Sequence, residues 1–497
     1  MSVYSQLKNG NDIRGVAMEG VPGEPVDLTP AIAARFGFAF AVFLKNRYSL
    51  SQVRIAIGHD SRLTAGPLSQ AVSEGIRAAG GSVIKTGLSS TPSMFMLLKE
   101  AEPFADGSVM ITASHLPFNR NGLKFFTPEG GLESRDLDGL IRIAEEATDL
   151  KDPSGSETSV NYMPTYAARL VDMVRAATGQ TEPLSGLRIV VDAGNGAGGF
   201  YAGQVIRPLG GDTEGSCYLD PDGRFPNHIP NPENGDAMRS VCQAVKSAGA
   251  DFGIIFDTDV DRAGCVGRGG AMINRNRLIA LVSAMLLAER PGTIVTDSVT
   301  SDGLSQFIES KGGRHHRFKR GYKNVINEAI RLNAEGEYTP LAIETSGHAA
   351  FCDNYFLDDG AYLVTRLLIQ LARAARSGED LLDLIRDLPE PAEAAEIRPV
   401  FRDRENFREQ GRTVLDDFLD YARSLPYVRV APNSYEGVRI NLDASHGDGW
   451  ILMRMSLHDP VLPINLESES TGGVRILKEF LIPFLKRYPF LDLGPVR

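Results

Sequence analysis

The sequence of 497 residues is short of cysteine and of basic charge, and each shortage excludes a class of protein. The 4 cysteines form no C-x-x-C pair, which argues against a zinc site and against a disulfide framework. A net charge of -11 leaves no basic surplus to neutralise nucleic-acid phosphates. We therefore expect no nucleic-acid partner, although a local cluster of arginine and lysine could still bind a small anion.

Long hydrophobic runs are also missing. The longest apolar stretch, LIALVSAMLLA at 278–288, is shorter than the roughly 20 residues that cross a bilayer. The start, MSVYSQLKNGNDIRG, has no apolar core of a signal peptide. The sequence therefore predicts a cytoplasmic protein with no membrane partner.

One pattern occurs three times, a β-branched apolar run that ends at aspartate and small residues. The segments are RIAIGHDSR (54–62), RIVVDAGNG (188–196) and TIVTDSVTS (293–301). Such runs are typical of buried parallel strands, and helical spacing with a glycine stop follows the first at 66–81. Alternating strands and helices predict three similar α/β units.

The tail from about residue 390 has a different pattern. GVRINL, GWILMRMSL and LPINLES indicate short strands, and GGVRILKEFLIPFLKRY indicates a terminal helix. This segment is predicted to be a smaller α+β unit. The predicted domains are 1–157, 158–268, 269–389 and 390–497.

Three aspartates follow an apolar strand in IIFDTDVDRAG (254–264). Asp257, Asp259 and Asp261 alternate, so in an extended segment their carboxylates point the same way. Three like charges repel unless a cation joins them, and oxygen ligands suit Mg²⁺. Arginines stand where an EF-hand loop needs glycine and glutamate, so that site is excluded. A plain acidic loop at a strand end stays open.

A serine, an imidazole and an ammonium follow another apolar strand, in VMITASHLPFNRNGLKFF (109–126). Leu116 stands where the G-x-S-x-G motif of acyl-transfer enzymes has its second glycine, so Ser114 does not fit that chemistry. A serine that carries a phosphoryl group needs a cation and a proton carrier, and Lys124 or His115 could move the proton. The alternative is that Ser114 caps a turn.

Two further segments offer groups for a phosphorylated sugar. In AIETSGHAAF (342–351), Glu344, Ser346 and His348 alternate and suit sugar hydroxyls, unless the segment is only a polar turn. Cationic groups, which suit phosphate oxygens unless they form a solvated face, stand in RMSLHDP and RFKRGYKN. They are Arg454 beside Ser456, and Lys319, Arg320 and Lys323.

A glycine motif gives an alternative from another class. DAGNGAGG (192–199) contains G-x-G-x-x-G after a strand, and Asp212 follows at a distance where a ribose-binding acid could fall. This would indicate a nucleotide-dependent oxidoreductase. The other interpretation is a tight turn from strand to helix.

Together these motifs resemble the α-D-phosphohexomutase superfamily, in the family's order and over nearly the whole chain. TASHLPFNRNGLK (112–124) resembles the phosphoserine loop T-[AG]-S-H-N-P with N-G-x-K, and DTDVDR (257–262) resembles the metal loop D-x-D-x-D-R. ETSGH (344–348) resembles the sugar loop, RMSLHDP (454–460) the phosphate loop R-x-S-N-T-E-P, and NDIRG (11–15) the N-terminal Y-D-I-R-G.

The resemblance implies four domains around a central cleft, three similar α/β units with mixed sheets plus a C-terminal α+β domain. It implies an isomerase of the intramolecular phosphotransferase type. Glucose and/or mannose 1-phosphate and 6-phosphate would interconvert through a phosphoserine and a hexose 1,6-bisphosphate, which also serves as activator, with Mg²⁺ as cofactor and a hexose phosphate as the small-molecule partner. A phosphoglucosamine mutase and a non-catalytic relative that binds sugar phosphates are the alternatives.

The resemblance also implies roles for individual residues. The catalytic residues would be Ser114, Lys124, His115 and Arg14. The metal ligands would be Ser114, Asp257, Asp259 and Asp261. The substrate-binding residues would be Arg262, Lys319, Glu344, Ser346, His348, Arg454, Ser456 and His458.

Several positions depart from the family pattern. Leu116 replaces the usual asparagine of the phosphoserine loop, and Leu457 and His458 replace the asparagine and threonine that usually bind phosphate. Because leucine cannot donate a hydrogen bond, the phosphate site is expected to be rearranged or weaker. The sequence does not decide between glucose, mannose and glucosamine phosphates, and it does not indicate an oligomeric state.

Overall fold

The three repeated apolar runs all form strands, and each ends at or next to an aspartate. The computed structural model describes residues 2–102, 104–147, 150–432, 434–456 and 459–494. The strands are Arg54–His59, Ile189–Asp192 and Thr293–Thr296, and their central residues are buried. Such burial is expected for strands that helices cover on both faces.

The chain packs into two compact units, one of residues up to 274 with 346–381 and one of residues 275–345 with those from 382 onward. The larger sheet of the first unit is mixed, because Arg54–His59 pairs in parallel with both neighbours whereas Gly107–Ile111 and Arg120–Thr127 pair antiparallel. Its strand order is Lys8–Asn9, Asp12–Val16, Arg120–Thr127, Gly107–Ile111, Arg54–His59, Ser82–Leu88 and Glu157–Ser159, with Gly130–Gly131 beside Arg120–Thr127.

A second mixed sheet also belongs to the first unit. Its order is Ala271–Ile273, Ala263–Gly267, Phe252–Phe256 and Ile189–Asp192, and the last two strands are parallel. The helices that accompany both sheets are Val3–Gln6, Pro30–Tyr48, Ala65–Ala78, Thr91–Met96, Ser134–Glu146, Met163–Thr178, Gly235–Ala248 and Gly360–Ser377. Thr29 caps the second of these helices at the Ile32 N–H, and Pro30 stands at its first turn, as the helix-start rules predict.

The second unit combines a parallel and an antiparallel sheet. The strand Thr293–Thr296 pairs in parallel with Arg314–Arg317 and with Leu341–Ile343. The antiparallel sheet has the order Glu393–Ile397, Ile464–Ser468, Gly449–Met453, Val438–Leu442 and Val428–Val430, and Val400–Phe401 pairs with Leu491–Asp492. The helices are Asn276–Glu289, Asp302–Ser310, Tyr322–Ala334, Phe407–Arg423 and Gly473–Leu485.

The predicted fold class is confirmed, since α/β segments with mixed sheets precede an α+β segment whose main sheet is antiparallel. The four domain boundaries stay predictions. None of the helices in the described ranges combines the length and the apolar content needed to span a bilayer.

The single tryptophan of the chain, Trp450, is buried in a small apolar cluster with Val299 and Leu452. Trp450 faces Glu467 on the neighbouring strand, and its Nε1–H donates to Glu467 Oε2 at 2.9 Å. The Arg439 guanidinium lies 3.7 Å from the centre of the Trp450 ring. Burial raises the pKa of Glu467 to about 7, although Arg439 and the bond from Trp450 act in the opposite direction.

We predict that Glu467 makes the stability of this segment depend on pH. Its pKa is higher in the folded protein than the 4.5 of an ordinary glutamate, so the folded state keeps a proton that the unfolded chain has lost. This contribution to the free energy of unfolding is present at acid pH and is lost as the pH rises through about 7. Between about pH 5.5 and about pH 8 the loss amounts to about 2 kcal/mol.

The glutamine in Glu467→Gln does not titrate. The free energy of unfolding of this variant should therefore change less with pH over this range than that of the wild type. Urea unfolding, followed by the fluorescence of Trp450, measures the free energy of unfolding at both pH values. Glu479→Gln, which removes the exposed partner of Arg475, is the control and should follow the wild type. Equal pH dependence in the wild type and in Glu467→Gln would contradict the prediction.

Candidate active site

Ser114 lies in the loop that follows the buried strand Gly107–Ile111. Its φ is +52°, a left-handed conformation that is uncommon outside glycine and that is often found at functional sites. The Ser114 N–H donates to Thr112 Oγ1 at 2.8 Å, which holds the backbone in this conformation. The side chain is buried.

The Ser114 hydroxyl lies between a carboxylate and a guanidinium from a distant part of the sequence. Ser114 Oγ donates to Asp257 Oδ2 at 2.9 Å and accepts from Arg262 Nη2 at 2.9 Å. His115 Nδ1 is 3.3 Å from the same oxygen. The structure thus brings together the serine loop and the aspartate loop that the sequence singled out.

The three aspartates form a buried cluster. Oxygens of Asp257, Asp259 and Asp261 lie within 4.8 Å of one another. Val260, between two of them, has a φ of +67°, which is unusual for a β-branched residue and shows how tightly the loop is turned. Asp259 Oδ1 and Asp261 Oδ1 are buried and have no hydrogen-bond partner among the described residues. Converging oxygens that lack partners fit a hard divalent cation such as Mg²⁺.

Lys124 supplies the positive charge that the cluster needs when it holds no metal. Its Nζ donates to Asp259 Oδ2 at 2.8 Å and to Asp261 Oδ2 at 2.6 Å. Burial acts to lower the pKa of Lys124, but these two carboxylates raise it well above its ordinary value. Thr91 Oγ1–H also donates to Asp259. A metal ion would therefore share these carboxylates with an ammonium, which contacts their Oδ2 atoms and leaves the Oδ1 atoms without hydrogen-bond partners in the described part of the chain.

The charges within the cluster are unequal. Burial and the neighbouring Asp261 and Asp259 raise the pKa of Asp257 well above the ordinary range. Burial acts in the same direction on Asp261, but the charges of Lys124, His348 and Arg262 hold its pKa below the ordinary value. The pKa values of these two neighbouring carboxyl groups are thus shifted in opposite directions, as expected when like charges share a small volume.

His115 is held in its neutral form. The charge of Arg262, and then burial, lower the pKa of His115 far below 6.5. Its Nδ1 accepts a hydrogen bond from Arg262 Nη2. Arg14, which pairs with Asp12 at 2.9 Å, lowers the pKa of His115 further, so its charge acts on this site.

The sugar-loop residues 346–348 pack against the strand that follows the aspartates. Gly347 has a φ of +94°, and a Cβ there would lie 2.5 Å from the carbonyl oxygen of Ala263. His348 Nδ1 pairs with Asp358, whose charge raises the pKa of His348 although burial opposes it. Ser346 Oγ is buried without a hydrogen-bond partner among the described residues. The glycine is therefore required by packing, and the two polar side chains are placed by it.

The remaining predicted substrate residues belong to the second unit. Glu344 Oε1 accepts from the Gly321 N–H at 2.6 Å, and Lys319 is exposed. Arg454 is buried, and its Nη1 lies 3.7 Å from Glu436 Oε1. Ser456 Oγ accepts from the Asp459 N–H at 3.1 Å. His458, together with Leu457, lies outside the described residues.

Sequence reasoning missed an arginine that holds the serine loop. Arg62 donates to the carbonyl oxygens of Leu116, Pro117 and Arg120 at 2.7 to 2.8 Å, and also to that of Ser114. Asp60 pairs with Arg62 at 3.4 Å and accepts from Thr112 Oγ1 at 2.6 Å. The available signal was GHDSR at the end of the first repeated strand, where an aspartate and an arginine follow a buried run.

The glycine motif at 194–199 is explained by packing within the chain. A Cβ on Gly196 would lie 2.6 Å from the Thr258 carbonyl oxygen, and one on Gly199 would lie 2.0 Å from that of Leu219. Asp212, the proposed ribose-binding acid, pairs with Arg188 at 2.6 Å. The oxidoreductase alternative therefore has no structural support.

Comparison with known proteins identifies the family of the chain. Models of the phosphoglucomutase/phosphomannomutase α/β/α domains I, II and III match residues 5–150, 164–270 and 274–391. The chain is 30% identical over 446 residues to a phosphomannomutase/phosphoglucomutase of Pseudomonas syringae, with 89% of each chain covered. It is 33% identical over 369 residues to phosphohexose mutases of Xanthomonas campestris, covering 73% of this chain and 77% of that protein.

A solved structure extends the similarity to nearly the full length. The phosphoglucomutase/phosphomannomutase family protein of Burkholderia thailandensis has a TM-score of 0.78 at 28% identity, covering 98% of both chains. The three domain models and the full-length similarity agree with the loops found in the sequence. The chain therefore belongs to the phosphoglucomutase/phosphomannomutase family and is an isomerase of the intramolecular phosphotransferase type.

Proposed function

We propose that the enzyme interconverts the 1-phosphate and the 6-phosphate of glucose and/or mannose through a phosphoserine at Ser114 and a hexose 1,6-bisphosphate. The observation that supports this most is the position of Ser114 Oγ, 2.9 Å from both Asp257 Oδ2 and Arg262 Nη2. A phosphoryl group on that oxygen would meet a guanidinium and a group of carboxylates suited to a cation.

Asp257, Asp259 and Asp261 would hold Mg²⁺, with the Ser114 oxygen as a further ligand. Bound Mg²⁺ supplies positive charge that stabilises the oxygens of a phosphoryl group in transfer. Arg262 already donates to Ser114 Oγ and supplies a second positive charge at that oxygen. Stabilisation of charge and positioning account for most of phosphoryl-transfer catalysis.

In each transfer to substrate, the bond between Ser114 Oγ and phosphorus breaks and a bond between phosphorus and a sugar hydroxyl oxygen forms. The return transfer from the bisphosphate reverses these changes at the other end of the sugar, so no phosphate is consumed. Lys124 is the proposed proton carrier, since its Nζ contacts Asp259 and Asp261 of the proposed metal cluster. His115 and Arg14 are proposed to assist at Ser114 Oγ.

The proposed substrate-binding residues are divided between the phosphate and the sugar. Arg454, Ser456 and Lys319 would bind the phosphate that does not react, and Glu344, Ser346 and His348 the sugar. Arg454 Nε and Ser346 Oγ are buried without hydrogen-bond partners among the described residues, which supports a role for each in holding a polar ligand. The role of His458 stays a prediction from the resemblance.

The first test is turnover of a panel of sugar phosphates. With Mg²⁺ and a trace of hexose 1,6-bisphosphate, glucose 1-phosphate or mannose 1-phosphate should be converted to the 6-phosphate, as measured by an assay coupled to the product. Faster conversion of glucosamine 1-phosphate would favour a phosphoglucosamine mutase instead. Binding of these compounds without any turnover would indicate a non-catalytic relative.

The second test concerns the metal ligands. Asp259→Asn removes one of three converging carboxylates, so we expect Mg²⁺ affinity to fall by about tenfold or more. The kcat should fall with it. Titration calorimetry with Mg²⁺ measures the affinity independently of activity.

Asp212→Asn is the control, since it removes a carboxylate that pairs with Arg188 away from the cluster. It should leave Mg²⁺ affinity unchanged. Undiminished Mg²⁺ affinity in Asp259→Asn would show that the metal binds elsewhere.

A further inference from the structure

Glu436 lies beside the arginine proposed to bind the substrate phosphate. Its Oε1 is 3.7 Å from Arg454 Nη1. Its Oε2 accepts from Ser298 Oγ at 2.6 Å and from the Arg320 N–H at 3.0 Å. One carboxylate thus accepts a hydroxyl and an amide and faces a guanidinium, which is the set of contacts expected of a bound phosphate.

The backbone fixes Glu436 in this position. Gly437 has a φ of +64°, and a Cβ there would lie 2.1 Å from the Met453 carbonyl oxygen and 2.8 Å from Arg454 Cα. The segment that carries Glu436 therefore packs directly on the backbone of Arg454. On its other side, the ring of Tyr435 lies 4.8 Å from that of Phe318.

Both acidic and basic groups act on Arg454. Burial lowers the pKa of Arg454, whereas the charges of Glu436, Glu396 and Asp297 act against that effect. Arg320 is the neighbouring cation. A doubly charged phosphate that joined this group would meet carboxylates as well as arginines, so full binding requires that one carboxylate give way.

We infer that Glu436 is an internal counter-anion that exchanges with the substrate phosphate at Arg454. Glu436 pairs with Arg454 when the phosphate is absent, and it competes with the phosphate for Arg454 when the phosphate binds. This role rests on the proposed function, in which the bisphosphate must release one phosphate from this site and return with the other. A carboxylate that pairs with Arg454 as the phosphate leaves makes that release easier.

The inference predicts an unusual effect of removing a negative charge. Glu436→Gln keeps an oxygen that can accept from Ser298 and Arg320 but no longer competes as an anion. Inorganic phosphate should bind to the variant roughly fivefold more tightly or better, since one negative charge about 4 Å from the Arg454 guanidinium is removed. Calorimetric titration of phosphate into the full-length protein measures this affinity. In turnover of the hexose 1-phosphate, KM and kcat should both fall, because release of the phosphate becomes slower.

Two further variants separate the possible outcomes. Glu469→Gln removes an exposed glutamate just after the strand Ile464–Ser468 and should leave phosphate binding unchanged. Arg454→Ala should abolish the binding that Glu436→Gln strengthens. Unchanged or weaker binding in Glu436→Gln, with loss in Arg454→Ala, would overturn the exchange role alone and leave a structural one. Binding that does not depend on Arg454 would overturn the phosphate site of the proposed function as well.

Discussion

Three buried carboxylates on one short loop are the constraint on which the first unit depends. Asp257, Asp259 and Asp261 cannot all be ionised within 4.8 Å without cations close by. Lys124 and Arg262 supply that charge, and each comes with a further task, since Lys124 is the proposed proton carrier and Arg262 donates to Ser114 Oγ. The serine loop is placed by the same charges that keep the aspartates stable.

In the second unit, too, a side chain neutralises a buried charge, but here the buried charge is positive and the neutralising side chain is acidic. Arg454 is buried, and Glu436 faces it where a substrate phosphate would bind. In both places a side chain of the protein stands where we propose that a charged ligand binds. Such counter-ions keep a highly charged site folded without its ligands, and they also set how tightly those ligands bind. Reversible binding would suit the proposed reaction, in which the bisphosphate must leave the site and return.

The sequence predicted those features that depend on neighbours along the chain. The apolar runs give the strands, the alternation in DTDVDR gives the convergence of carboxylates, and the position of Ser114 after a strand marks a functional loop. Contacts between distant segments could not be predicted. Thr91 and Asp259 are 168 residues apart, and Arg62 reaches a loop that begins 52 residues later. Glu436 has no motif around it, because its role follows from packing against Arg454. Only the fold brings such pairs together.

The central claim is that Ser114 carries the phosphoryl group that is transferred, and intact-mass analysis tests it most directly. After incubation with hexose 1,6-bisphosphate and Mg²⁺, the protein should become one phosphate heavier, and peptide mapping should place that phosphate on Ser114. Excess hexose monophosphate should then remove it. The account would be contradicted by a phosphate on another residue, by one that hexose monophosphate does not remove, or by full turnover in Ser114→Ala.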